Sequence, residues 1–349
     1  MSKLKLAIIG MGRMGITHYA IINSNPSVEI ESVADTSALI LSILTKYIDI
    51  QTFKDYNELF ERTKPNAVLV CTPPNLNFPI VKKAAELGIH AFVEKPFATT
   101  VAQAAELVRL YSGTGLINQV GYVNRFNDVF IKAKELLENR VIGNIIRFKS
   151  EMFSCTISKS DESSGWRSSR ESGGGAVFEM ASHAIDLVNF LIGKPDKVVG
   201  STLNYIYSRN VEDAAFSTFI YQNGITGQLN INWSDMSYRK PTNKIEIFGT
   251  GGRILADQYS LKIFLNKPNT QYEFQQGWNT LYITDIFKPV PFYVRGNEFT
   301  RQLYHFVECI QNKEIHNQCT FLDGVNVLEV IENIFDDYQK NGGIYAANR

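Results

Sequence analysis

Apolar residues fall along this chain in two rhythms. In the first third they come as short, nearly continuous runs: Leu4 to Ile9, Ile30 to Ala34, Ala67 to Cys71, Ile89 to Val93 and Leu116 to Tyr122. Runs of this kind suit strands buried on both faces. Helix-compatible segments separate them, from about Arg13 to Asn23, from beyond Asp35 to Tyr47, from Phe78 to Leu87, and on to Tyr111 after a cap at Thr99 or Thr100. Gly88 is the expected C-cap of the third. Phe53 to Phe60 reads as a short helical connection around Asp55. Thr72-Pro73-Pro74-Asn75 reads as a loop, because two prolines cannot continue a central strand. The repeated strand–helix alternation predicts a doubly wound parallel α/β sheet over residues 1–123.

From Asn124 onward the pattern alternates with period two. One helix is expected over Val129 to Asn139, then strands at Ile145 to Phe153, Val198 to Tyr207, Ala214 to Tyr221, Thr226 to Trp233, Lys244 to Phe248, Arg253 to Ala256 and Leu261 to Phe264. Another helix is expected over Ala176 to Leu191, and two closing helices over Phe299 to Gln311 and Gly324 to Lys340. Asn266 to Gly296 receives no assignment. The pattern predicts an α+β domain over residues 124–349, with an open, mostly antiparallel sheet and helices on one face. The other face is expected to pack against a second subunit, giving a homodimer or homotetramer.

The 349 residues call for two domains, and 35 basic against 35 acidic residues recommend neither nucleic acid nor an anionic membrane as partner. Cys71, Cys155, Cys309 and Cys319 are scattered without zinc or disulfide spacing, so a reducing, cytoplasmic compartment fits. No apolar stretch is long enough to span a bilayer.

Chemistry enters at the first turn. Gly10, Gly12 and Gly15 follow the first strand as G-x-G-x-x-G. Gly10 permits the tight turn, Gly12 lets backbone approach a diphosphate, and Gly15 lets the helix pack closely on the sheet. The helix N-terminus favours the phosphates. Asp35, twenty residues beyond Gly15, is placed to accept from ribose hydroxyls. A carboxylate there repels a 2'-phosphate, so NAD is expected over NADP.

Lys95 ends the fourth run at the edge where ligands collect in parallel sheets, within Glu94-Lys95-Pro96. Its alternatives are a catalytic ammonium or an ordinary surface lysine. The polar stretch Ser154 to Gly175 offers Trp166 as a pocket wall and Arg167 as an anion partner, or is a plain surface excursion. Glu179, His183 and Asp186 stand at i, i+4 and i+7 on a helix that is otherwise apolar. This spacing puts a carboxylate, an imidazole and a second carboxylate on one face. General acid–base chemistry, a structural His–Asp pair and a metal site are the three readings, the last without a second histidine to support it.

Taken together, the glycine turn, Thr72-Pro73-Pro74, Glu94-Lys95-Pro96, Gly121-Tyr122-x-x-Arg125-Phe126 and Gly165-Trp166-Arg167 form a familiar series. It continues through Gly173-Gly174-Gly175-x-x-x-Glu179-x-x-x-His183-x-x-Asp186, Glu212-Asp213 and Phe248-Gly249-Thr250. Over nearly its whole length the chain resembles the Gfo/Idh/MocA oxidoreductases, named for glucose-fructose oxidoreductase and inositol 2-dehydrogenase. The resemblance implies a Rossmann domain and NAD(P)-dependent oxidation or reduction at a carbinol carbon of a sugar, cyclitol or nucleotide sugar. It implies cofactor contacts from Gly10, Gly12, Arg13, Met14, Gly15, Asp35, Thr72, Pro73, Asn75, Glu94 and Lys95. Lys95 is implied to touch both ribose and substrate hydroxyl, and His183 to act as acid or base with Glu179 as a third catalytic group. Tyr122, Arg125, Trp166, Arg167, Glu179 and His183 are implied to contact substrate. The chain departs from the family pattern in having Glu179 for an aspartate, Asn77 for a histidine, and Asn124 with Arg125 for an arginine pair. Two rivals remain open: a glycosidase-like enzyme that recycles bound NAD, and a non-catalytic nucleotide-binding protein.

Overall fold

The computed structural model describes residues 3–159 and 165–342, which group into two units, Met1–Val123 with Pro289–Val325 and Asn124–Lys288 with Asn326–Arg349. Residues 160–164 of the polar stretch after Ser154 lie outside the described residues.

In the first unit β1 (Leu4–Ile9), α1 (Arg13–Ile22), β2 (Val28–Ala34), α2 (Ala38–Tyr47), β3 (Gln51–Phe53), α3 (Tyr56–Thr63), β4 (Ala67–Val70), α4 (Pro74–Glu86), β5 (His90–Val93), α5 (Val101–Tyr111) and β6 (Asn118–Val120) follow in order. The sheet order is β3-β2-β1-β4-β5-β6, and every neighbouring pair is parallel. All of β4 is buried, as a strand covered on both faces must be. Side chains of Ser37, Asp55 and Thr100 cap α2, α3 and α5 by accepting backbone N–H groups. Two expectations are corrected. The segment after Tyr47 holds a strand, β3, only three residues long. The supposed proline loop is the start of α4: Pro74 occupies the first helical turn, where its missing N–H costs nothing.

The second unit contains α6 (Asp128–Glu138), β7 (Ile145–Phe153), a 3-10 turn at Trp166–Ser168, a π-turn at Val177–Ala181 and α7 (Ser182–Leu191). After them come β8 (Lys197–Asn204), β9 (Ala214–Ile220), β10 (Thr226–Asn232), β11 (Thr242–Gly249), β12 (Gly252–Ala256), β13 (Ser260–Leu265), β14 (Gly277–Tyr282) and the short α8 (Ile283–Ile286). The sheet order is β14-β13-β12-β11-β7-β10-β9-β8. Neighbours are antiparallel except β7 and β10, which run parallel. One face is buried, with α7 packed on β7 and β11 and α6 on β12 and β13. The alternation is plain in β11, where Asn243, Ile245 and Ile247 are buried between half-buried neighbours. The stretch left unassigned from Asn266 holds β14 and α8.

Two helices close the chain, α9 (Asn297–Gln311) and α10 (Phe321–Asp337). In the first unit α9 packs on α1 and contributes Leu303, Phe306 and Val307 to a core with Leu6, Ile8, Ile21, Ile22 and Phe92. Side chains of this size each stabilise by about 1.5–3 kcal/mol when fully buried.

Candidate active site

The first unit gathers its chemistry at the carboxyl ends of its strands. The strand order reverses between β1 and β4, and a parallel sheet opens a crevice at such a point. Backbone bonds align the strand ends: the Gly10 amide donates to Ala34 O at 2.8 Å, Cys71 to Ile9 O at 2.8 Å, Glu94 to Val70 O at 2.9 Å and Gly121 to Val93 O at 2.8 Å. Gly10, Asp35, Thr72, Lys95 and Tyr122 therefore stand along one edge.

The glycine turn fits a dinucleotide. Gly10 has φ +89°, and a Cβ on it would lie 2.8 Å from the Cys71 carbonyl; one on Gly15 would overlap the Gly10 carbonyl oxygen. A Cβ on Gly12 would meet nothing within 4 Å, which leaves that side open for the diphosphate. Gly12 provides no side-chain cap for α1, whose first turn has no acidic residue, so the helix N-terminus is suited to an anion. Arg13 is exposed there and Met14 half-buried. Asp35 fixes the turn from the next strand: Oδ2 accepts the Met11 N–H at 2.6 Å and Oδ1 the Ser37 N–H at 2.7 Å. Each carboxylate oxygen has two acceptor positions, so both retain one for a ribose hydroxyl. Of the loop residues expected at the cofactor, Pro73 and Asn75 are exposed and Thr72 is half-buried. Lys95 and Glu94 are half-buried, and the Lys95–Pro96 peptide is cis.

Sequence reasoning passed over two residues of this edge. His18 is fully buried in α1, with Nε2 2.6 Å from Glu94 Oε1. The available signal was an imidazole on the inward stripe of α1 beside Ile21 and Ile22. Arg295 comes from the segment before α9; its Nη1 lies 3.7 Å from Met14 Sδ and its guanidinium 5.1 Å over the Phe299 ring. Nothing in the sequence pairs residues 281 positions apart.

The second unit presents the helical residues. The expected single α-helix from Ala176 is instead a π-turn over Val177–Ala181 leading into α7. A π-turn holds more than 3.6 residues, so the even i, i+4, i+7 stripe does not form. Between Gly173 and Val188 only Glu179 and His183 are not buried. Asp186 is turned inward: Arg125 Nε lies 2.9 and 3.1 Å from its two oxygens and Nη2 2.7 Å from Oδ1. Both side chains are buried, and the guanidinium lies 5.5 Å over the Phe190 ring. Glu179 Oε2 accepts from Arg167 Nε at 2.6 Å, while the Arg167 guanidinium stacks 4.6 Å over Trp166. The Asn243 amide donates to the His183 carbonyl at 3.5 Å.

The glycines bring the Trp166 turn onto this helix. The Gly174 amide donates to Ser169 O at 2.9 Å and the Gly175 amide to Arg167 O at 3.1 Å, and a Cβ on Gly174 would overlap backbone carbonyls of that turn. Glu212 braces the helix start from below, its Oε1 accepting the Val177 N–H at 2.9 Å and its carbonyl the Ala176 N–H at 3.0 Å. Burial pushes the Glu212 carboxyl up to about 7, against the pull of the Val177 amide. For Asp213 burial also opposes charge, but donors from Ser208, Trp233 and Tyr207 outweigh it and hold its carboxyl below the usual range.

Glu212 makes stability depend on pH. Its folded value is raised, so the folded state holds a proton that the unfolded chain has released, and this stabilising effect is complete below about pH 4.5 and is lost as pH rises through 7. Glu212→Gln keeps an acceptor for Val177 and removes the ionisation. Relative to the native protein it should gain up to about 3 kcal/mol between pH 5 and pH 8. Unfolding midpoints at those two pH values measure this; an unchanged difference between the two proteins refutes it.

The geometry matches known proteins. Residues 4–122 match the model for an oxidoreductase family with an NAD-binding Rossmann fold, and residues 130–255 that for the GFO/IDH/MocA C-terminal domain. An uncharacterized oxidoreductase of Schizosaccharomyces pombe is 29% identical over 202 residues, 57% of this chain and 54% of that one, so the match spans about half that relative's length. Myo-inositol 2-dehydrogenase of Thermotoga maritima is 25% identical over 330 residues, covering 92% of this chain and 88% of that one. A structure of levoglucosan dehydrogenase with NADH and levoglucosan superposes with a TM-score of 0.86 at 20% identity, covering 97% of this chain and 98% of that one, which establishes the shared fold. With both units matched in order by their family models, the chain belongs to the Gfo/Idh/MocA oxidoreductase family.

Proposed function

We propose that the protein is an NAD-dependent dehydrogenase acting on a CH–OH group of a sugar, cyclitol or nucleotide sugar. The observation that carries this is the glycine turn with Asp35 fastened across it, on the same strand-end edge as Lys95. Gly10, Gly12, Arg13, Met14, Gly15, Asp35, Thr72, Pro73, Asn75 and Glu94 hold the cofactor. NAD, when bound, supplies the hydride acceptor. In the oxidative direction His183 takes the hydroxyl proton and Lys95 stabilises negative charge developing on that oxygen. Glu179, held by Arg167, orients the substrate from the same helix. Trp166, stacked on Arg167, walls the substrate side of the second unit, and Arg125 serves it by holding α7; Tyr122, expected at the substrate, is buried in the first unit at 1% exposure. The cyclitol and sugar classes follow those named for the relatives, a myo-inositol 2-dehydrogenase and a levoglucosan dehydrogenase.

The scattered spacing of the four cysteines supports a reducing, cytoplasmic setting, and no helix among the described residues is long and apolar enough to cross a membrane. A homodimer or homotetramer through the open sheet face is supported by a cross-strand row of Arg147, Phe248, Arg253, Phe264 and Trp278, with the tryptophan 54% exposed. A monomeric mass by light scattering would refute that assembly.

The test is incubation with NAD and a panel of polyols, sugars and nucleotide sugars, following NADH. Net NADH with one member is expected. Product without net NADH favours internal recycling, and bound NAD without any product favours a binding protein. NAD is expected to bind more tightly than NADP, since the Asp35 carboxylate repels a 2'-phosphate; tighter NADP binding overturns that preference.

A further inference from the structure

The segment that carries Lys95 is fastened by two side chains to which the proposed chemistry gives no part. Asn77, in the first turns of α4, is 1% exposed. Its Nδ2 donates to the Pro96 carbonyl at 2.9 Å and, more weakly, to the Glu94 carbonyl at 3.4 Å. Its Oδ1 accepts from Thr72 Oγ1 at 2.8 Å. Both amide hydrogens are thus directed at the carbonyls flanking Lys95, and the acceptor is tied to the end of β4. From the other side His18 holds the Glu94 carboxylate, its ring edge-on to Phe92 at 5.4 Å.

This arrangement matters because a lysine is a point charge on a flexible four-carbon stem. Its ammonium reaches one small volume repeatedly only if the backbone beneath it is fixed. An ordinary strand-to-helix turn at a sheet edge needs no buried amide spanning both neighbouring carbonyls.

We infer that Asn77 is a positioning residue for Lys95: by bonding the carbonyls on both sides of the lysine it sets where the ammonium meets cofactor and substrate. The inference rests on the proposed role of Lys95. The bland alternative, that Asn77 only closes the turn, predicts lower stability with no change at the ammonium.

Competitive acetylation separates the two. Trace acetic anhydride labels the whole protein, with and without saturating NAD, and mass spectrometry reads the peptide containing Lys95. Asn77→Asp keeps the volume and the acceptor for Thr72 but removes both donations. Asn77→His retains a ring N–H donor and is the milder second variant. In the native protein NAD should slow labelling of Lys95 about tenfold, falling to about twofold in Asn77→Asp and recovering in Asn77→His, with NAD affinity changed by less than about threefold. Turnover should fall about 10- to 100-fold at similar KM in Asn77→Asp. Protection equal in the native protein and both variants overturns the inference while leaving the role of Lys95 intact. A matching loss of NAD affinity in Asn77→Asp also overturns it, since Asn77 then belongs to cofactor binding. Absence of protection in the native protein overturns the role of Lys95 and the inference together.

Discussion

Alanine at position 183 is expected to lower turnover by about 10²- to 10⁴-fold, the range of a lost general base, while NAD affinity changes by less than about threefold. His183 and Glu179 are the two positions of the Gly173–Val188 segment that are not buried. The NAD cradle does not depend on His183: Gly10, Met11, Gly15, Asp35 and Ser37 hold one another within the first unit. Lys95→Met provides the companion result. On the role proposed for Lys95 it removes charge stabilisation at the reacting oxygen rather than proton removal, and should cost about 10²- to 10³-fold in turnover. The measurement is steady-state turnover with the best substrate of the panel, beside a direct titration of NAD. Turnover of His183→Ala within about threefold of native would end its assignment as the base.

The first unit was legible because its signals are local. Continuous apolar runs alternate with helical segments as far as Tyr122, and the glycine turn and the acid at fixed distance lie within the first 35 residues, which makes the parallel α/β class readable but not the strand order. β3 escaped because three residues carry no period, and α4 began early because Pro74 punctuates a loop and a first helical turn equally well. β14, at the edge of its sheet, alternates half-buried Gly277, Asn279 and Leu281 with exposed Trp278, Thr280 and Tyr282, so the residue types show no apolar–polar alternation to mark it. The parallel pairing of β7 with β10 is a topological fact that side-chain periodicity does not encode. At the candidate site the chemistry was visible and the partnerships were not. Glu179, His183 and Asp186 share a spacing, yet the π-turn and an arginine 61 positions away assign them different surroundings. His18 with Glu94, and Asn77 with Glu94 and Pro96, join residues from separate strand–helix units through contacts that only the folded sheet creates.

The buried pair of Arg125 and Asp186 gives the largest expected change in stability. Arg125→Met removes one charge and leaves the other in a site where Asp186 is 0% exposed. Stranding a buried charge in this way costs about 3–5 kcal/mol, which for a protein of this size lowers the melting temperature by about 10 °C. Arg125→Met combined with Asp186→Leu should recover most of that loss, because the attraction within such a pair largely offsets the cost of removing two charges from water. The same two proteins separate the roles open to Arg125. If it holds α7, the single variant melts early and the double variant is restored in stability. If it instead contacts substrate directly, the single variant melts within about 2 °C of native and shows its defect in KM. The distances favour the first outcome: three nitrogen–oxygen contacts of 2.7–3.1 Å commit Nε and Nη2 to the helix that carries His183.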